Sequence, residues 1–229
     1  MTHDSDASAA EPDGSTEAAA QPEPALVAAP VAVAVARKRP KPGERRVQIL
    51  QTLASMLELP GADRVTTAAL DAKLDVSEAA LYRHFASKAQ MFEGLIEFIE
   101  SSVFTLVNQI HERETEPMVQ VRKMLTVLLQ FAEKNPGMAR VMVGDALVFE
   151  NDRLLTRMNQ FFERFESQLR QSLRGRADDA GSVTPTVDAN AQASVLTAFA
   201  VGRLQRFARS GFKRSPVEHL DAALRMLAT

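Results

Sequence analysis

Residues 64–88 read Arg-Val-Thr-Thr-Ala-Ala-Leu-Asp-Ala-Lys-Leu-Asp-Val-Ser-Glu-Ala-Ala-Leu-Tyr-Arg-His-Phe-Ala-Ser-Lys. Beside three carboxylates, their polar members are hydroxyls, an imidazole, two guanidiniums and two ammonium groups. Such groups donate hydrogen bonds to phosphate oxygens and base edges. The apolar members sort them spatially. Leu70 and Leu74 are four apart, as are Leu81 and Phe85, and Val76 falls between the pairs. Two short helices, Thr67–Leu74 and Ser77–Phe85, bury those residues against each other. Ser77, Glu78, Ala79, Ala80, Tyr82, Arg83 and His84 are then left facing outward.

That outward face suits the major groove of duplex DNA. A recognition helix places its N-terminal residues at base edges. Ala79 and Ala80 permit close approach and can pack on thymine methyls. Glu78 either accepts from a cytosine amino group or complements the helix dipole. Ser77 is also the expected N-cap. Tyr82 is the only tyrosine of the chain, and its hydroxyl and the His84 ring are expected on phosphates. Thr66 and Thr67 open the first short helix, where hydroxyls and free amides hold a phosphate or simply cap. Ser87 and Gln90 have the spacing of a capping box, which places Lys88 at a helix N-terminus, another phosphate position.

Enzymatic chemistry has no comparable constellation. The four histidines, His3, His84, His111 and His219, are scattered, and there is no cysteine. Neither a metal-ligand spacing, a nucleophile–base set nor a phosphate-cradling glycine loop appears. A non-enzymatic chain without metal or cofactor is expected, in a reducing compartment.

The elements that must position the reading residues are helical throughout. A helix over 44–58 carries Val47, Leu50, Leu53, Ala54 and Leu57 on one face, and Pro60-Gly61 ends it. A long helix from Ser87 to about His111 follows the reading segment. Others are expected at 116–134, from Pro136, at 150–174, at 187–209 and from Pro216 to about Leu227. Residues 175–186 read as a loop. No strand alternation and no repeat is visible.

Charge is unevenly distributed. Residues 1–36 hold six acids and no Lys or Arg, leaving 27 basic against 23 acidic residues in 37–229. A basic body suits a polyanion. Residues 1–42, rich in Ala, Pro, Glu, Asp and Ser, are expected to be a disordered tail. The tail ends in a basic arm, Arg37, Lys38, Arg39 and Lys41, followed by Arg45 and Arg46. Its longest apolar run, Leu26–Ala36, is too short to span a bilayer and lacks the basic flank of a signal peptide. A cytoplasmic location is expected.

Thr66-Thr67, Val76-Ser77, Leu81 to Phe85 and Ser87-Lys88 together resemble the helix-turn-helix of the TetR family. One departure is Asp75, where that family usually has glycine; Asp tolerates the left-handed conformation better than most residues. Ser77 to Phe85, Phe92, Leu95 to Glu100, Asn135 to Gly137 and Phe161 to Arg164 resemble, within it, the nucleoid occlusion factors, over about 44–229. The resemblance implies an all-α, TetR-like fold. Its parts are a three-helix DNA-binding domain over 43–87 and a helical dimerisation and partner-binding body over 88–229. It also implies a nucleoid-associated homodimer on a palindromic duplex site. The further implied partner is FtsZ, the tubulin-like division GTPase, at Phe98, Lys134 and Asn135. Leu106, Val127 and Gln130 lie on the same expected face without a visible motif. Ala191, Ser194, Ala198 and Gly202 form a small-residue stripe, suited either to the dimer contact or to packing within the chain. TetR relatives in general release DNA on binding a small molecule, so a ligand-responsive repressor is the alternative.

Overall fold

The computed structural model describes residues 43–59, 65–179 and 181–227, with the side chains of 176–179 left aside. The expected tail over 1–42, and with it the arm from Arg37 to Lys41, lies outside the described residues. Among the described residues all regular structure is helical.

The reading domain comprises α1 (Glu44–Leu57), α2 (Thr67–Leu74) and α3 (Glu78–Tyr82). Ile49, Leu53 and Leu57 of α1 meet Leu70, Leu74, Leu81 and Phe85 in one buried cluster. Thr66 and Ser77 cap α2 and α3, their hydroxyls accepting from the amides of Ala69 and Ala80 at 3.2 and 3.3 Å. Both helices are thus started by side chains that satisfy otherwise orphaned donors.

Asp75 makes the turn between them, at φ 54° and ψ 53°, in the left-handed region. The Val76 amide donates to Asp71 C=O and the Asp75 amide to Ala72 C=O, the pairing of a Schellman C-cap. A side chain in this conformation carries a strain that glycine avoids. Asp75→Gly is therefore expected to stabilise the fold by about 0.5–1 kcal/mol, raising Tm by about 2–4 °C per kcal/mol. A lower Tm in a thermal melt would show that the Asp75 carboxylate contributes more than the strain costs.

The recognition helix is shorter than expected: α3 ends at Tyr82, not Phe85. The His84 amide turns back to Leu81 C=O, and the His84 carbonyl is taken by the Arg46 guanidinium of α1 at 3.1 Å. The same guanidinium lies 4.1 Å over the Phe85 ring. Arg46 is thus a structural clamp of the reading domain and does not belong to a free basic arm.

The body begins with α4 (Lys88–Arg113), continuous from the reading domain, then α5 (Pro117–Lys134), α6 (Pro136–Met142), a single 3-10 turn (Asp145–Leu147), α7 (Asp152–Asp179), α8 (Pro185–Arg209) and α9 (Leu220–Leu227). The antiparallel α7 and α8 form its most extensive pairing. Met91, Leu95, Ile99, Val103 and Val107 of α4 are fully buried with Leu125 and Leu129 of α5 and Met158, Phe161 and Phe165 of α7.

Two boundaries differ from expectation. α7 continues through 175–179, because Gly175 in a surface turn weakens a helix by only about 1 kcal/mol while the preceding stripe anchors it. α9 begins at Leu220, four residues after Pro216. Turns occupy the gap, and His219 sits at φ 53°, a conformation no right-handed helix includes.

Two glycines mark close contacts between the reading domain and the body. Gly94 of α4 lies under Leu50, where an added Cβ would come within 3.0 Å of Leu50 Cδ1. Gly137 of α6 sits directly on α1, and a Cβ there would fall 2.1 Å from the Ala54 carbonyl oxygen. This contact also holds α6 between α1 and α8.

Candidate nucleic-acid interface and partner surface

The outward face of α3 assembles as expected. Ser77, Glu78 and Ala79 are exposed, Ala80 is half-buried, and Tyr82, Arg83 and His84 are exposed. Leu81, fully buried, sets this rotation, and Phe85 locks it from below. Tyr82 is 39% exposed, so its hydroxyl reaches solvent while part of the ring packs. Arg83 and His84 follow α3 in the turn rather than on the helix, so they flank the groove-facing residues. Thr66 is exposed and Thr67 half-buried at the start of α2. The hydroxyls, guanidinium and imidazole among these residues are thus on exposed or half-buried positions.

Lys88 is placed differently. It opens α4, but its ammonium is paired with Glu150 and lies 5.6 Å from the Phe92 ring centroid. The expected phosphate donor is already engaged by a carboxylate 62 residues further on. Two more ion pairs continue along the same side of α4. Arg153 meets Glu93 at 2.8 Å, and Arg157 grips Glu100 with two nitrogens at 3.1 and 2.6 Å. The Glu100 hydrogen bond, outweighing partial burial, raises Arg157 above the usual guanidinium value. The two arginine pairs fasten α4 to the start of α7, and the Lys88 pair ties it to the turn just before that helix. The sequence shows their charges but not their pairing. The i, i+4 step of Arg153 and Arg157 against the i, i+7 step of Glu93 and Glu100 was the available signal.

The residues of the expected partner surface come together in part. Phe98 is 46% exposed, with its ring centroid 6.0 Å from that of Phe131 on α5. Asn135 closes α5, its side-chain amide donating to Phe131 C=O at 2.7 Å. Lys134 beside it is exposed. Phe98 and Asn135 border a cleft of about 330 Å3 between α1, α4 and α6, floored by Leu50, Ala54, Leu95 and Met138. Leu106 and Gln130 are exposed and Val127 half-buried on the adjoining α4–α5 face. Sequence reasoning missed the contribution of α1 to this cleft.

Ala191, Ser194, Ala198 and Gly202 are all exposed on α8, joined by Val187 and Val195. Packing within the chain uses another face of that helix, Ala189, Ala193, Leu196, Ala200 and Leu204. Gly202 has open space where a Cβ would stand.

An all-helical chain with a capped helix-turn-helix ahead of a long helical body defines a TetR-type DNA-binding protein. Residues 49–95 match the family of bacterial regulatory proteins, tetR family, and residues 115–229 match the tetracyclin repressor-like C-terminal domain of the SlmA-like type. The chain is 51% identical over 189 residues to the nucleoid occlusion factor SlmA of Photobacterium profundum, covering 82% of this chain and 96% of that one. It is 52% identical over 178 residues to that of Vibrio cholerae, covering 77% and 90%. This chain therefore belongs to the TetR family, in the SlmA-like branch. Among solved structures, a TetR-like regulator from Rhodococcus superposes with TM-score 0.63 at 18% identity, covering 83% of this chain and 99% of that one. The fatty acid degradation regulator FadR of Bacillus halodurans gives TM-score 0.65 at 13% identity, covering 83% and 96%. At such identities the likeness is one of fold.

Proposed function

We propose that this chain is a sequence-specific, DNA-binding nucleoid occlusion factor. It acts as a homodimer on the chromosome, and when DNA-bound it binds FtsZ and opposes assembly of the division ring there. The observation that carries this reading is the identity of about half of all positions across nearly the full length of relatives bearing that name. The exposed polar face of α3 supports duplex binding, with Ser77, Glu78, Ala79 and Ala80 at bases and Thr66, Thr67, Tyr82, Arg83 and His84 at phosphates. Lys88 joins them only where a phosphate displaces Glu150. The exposed stripe from Ala191 to Gly202 supports subunit pairing, which sets two reading heads at roughly 34 Å for a palindrome.

Phe98, Lys134 and Asn135 offer an aromatic anchor, a cation and an amide beside an apolar cleft, which suits a short segment of a protein partner. A ligand-released repressor would instead couple effector and DNA negatively. Because the cleft is bordered by Phe98 and Asn135, its occupation by a partner segment is the better-supported reading.

The test is co-elution of this protein, a labelled specific duplex and FtsZ on size exclusion. A ternary complex is expected. Lys134→Ala with Asn135→Ala removes FtsZ and leaves DNA affinity unchanged, whereas Tyr82→Ala weakens DNA binding about tenfold or more, the scale of one lost good contact. Absence of FtsZ from every fraction, with release of DNA by a metabolite, would establish the repressor reading.

A further inference from the structure

We propose that Arg206, Arg209, Lys213 and Arg214 form an accessory site for the phosphate backbone of duplex DNA, separate from the helix-turn-helix. The proposal rests on the DNA-binding reading above. From 189 to 217 the chain carries five basic residues, Arg203 being the fifth, and no acidic one. Arg206, Arg209, Lys213 and Arg214 are all exposed. Among the described residues, none of these four has an ion-pair partner. Arg206, Arg209 and Arg214 line one recess of about 440 Å3, opened by Gly202.

The helix dipole accounts for part of this charge. Arg206 and Arg209 occupy the last turn of α8, where a cation contributes about 0.3–1 kcal/mol. Lys213 and Arg214 lie beyond the helix, and the backbone bends sharply to bring Arg214 back to the recess. Gly211 and Phe212 are both left-handed, at φ 62° and 65°. For a bulky residue such as Phe212 that conformation costs about 1–3 kcal/mol. It is held by the Phe207 ring, 5.2 Å between centroids, and by Arg140 of α6 at 5.5 Å. The Arg214 amide then donates to Ser210 Oγ at 3.0 Å, which fixes the return.

The strained turn thus concentrates like charges. Arg203 registers the crowding. Burial first, and the Arg206 charge second, lower it from the usual guanidinium value. A cluster of mutually repelling cations needs a polyanion to neutralise it. The location selects which one. The α8 terminus leans on α6 through Phe212 and Arg140, and α6 sits on α1 through Gly137. These contacts link the recess to the end of the body that adjoins the reading domain, so a duplex held by α3 is the polyanion nearest to hand. Arg206 also continues the stripe of Ala191, Ser194, Ala198 and Gly202 by one turn, so a subunit contact is the competing use.

The experiment compares full-length protein with R209Q/R214Q and the conservative R209K/R214K. Fluorescence anisotropy would be run on a specific and a scrambled duplex from low to high salt, with sedimentation to fix the oligomeric state. Each phosphate contact contributes about 0.9 to the slope of log K against log salt. The glutamine variant is expected to lower that slope by at least about 0.9, equally for both duplexes, and to keep the preference for the specific one. The lysine variant is expected to retain the slope. An unchanged slope in the glutamine variant overturns the proposal, as does dissociation of its subunits. A wild-type protein binding neither duplex would instead overturn the DNA-binding reading.

Discussion

Gly137→Ala is expected to lower Tm by about 4–8 °C, the equivalent of about 2 kcal/mol in a chain of this size. The added methyl would stand 2.1 Å from the Ala54 carbonyl oxygen and 2.9 Å from its carbonyl carbon. Both are backbone atoms of α1, so no rotamer change relieves the overlap. Either α6 withdraws from α1 or α1 bends, at the upper end of the 1–3 kcal/mol range for overpacking, about 3 kcal/mol. Alanine recovers up to about 1 kcal/mol through helix propensity, and the sterics win. Gly175→Ala, at an exposed position of α7, is the control, because its Cβ meets nothing within 4 Å in the chain. Differential scanning calorimetry of the two variants tests the account. Equal melting temperatures would show that the α1–α6 contact yields without cost.

Phe85→Ala should have the largest effect on the reading domain, about 3–5 kcal/mol. The ring is 1% exposed beneath α3, with Arg46 stacked on one face and Gly94 of α4 beneath its edge. Truncation removes the contact that fixes α3 against α1 and leaves the Arg46 guanidinium without its platform. Affinity for the specific duplex is expected to fall at least about a hundredfold, since every 1.4 kcal/mol is about tenfold. Protection of α2 and α3 amides from hydrogen exchange falls with it, while that of α7 and α8 stays near wild type. Uniform loss of protection across all helices would mean that the reading domain and body unfold as one unit.

Much of this architecture was legible in the sequence because the signals were local. The Leu70/Leu74 and Leu81/Phe85 pairs specify the faces of α2 and α3, and the flanking Thr66 and Ser77 specify their starts. Asp75 was readable as left-handed because it stands where the TetR family usually has glycine, and Asp tolerates that conformation better than most residues. What escaped was set by contacts distant in sequence. α3 stops at Tyr82 because Arg46, 38 residues earlier, claims the His84 carbonyl. Lys88 has the right position for a phosphate and is nevertheless held by Glu150, a partner no spacing rule identifies. The cleft beside Phe98 is completed by α1, which the apolar periodicity assigns only to the core. Composition placed 175–186 in a loop, yet a helix already anchored by Phe161, Phe165 and Leu169 carries through Gly175.

The 26 residues of α4 form one unbroken rod, about 39 Å long at 1.5 Å per residue. Its first turn adjoins the reading domain, and its remainder runs through the body. A rod of that length acts as a lever: a tilt of about 5° displaces the far end by about 3 Å. That is most of the rise of one base pair. Phe98 stands on this lever, and the pairs Arg153–Glu93 and Arg157–Glu100 are its fulcrum. Under the function proposed above, a partner at Phe98 and a duplex setting the distance between two heads would act on this same helix. Binding at either place is then expected to alter affinity at the other.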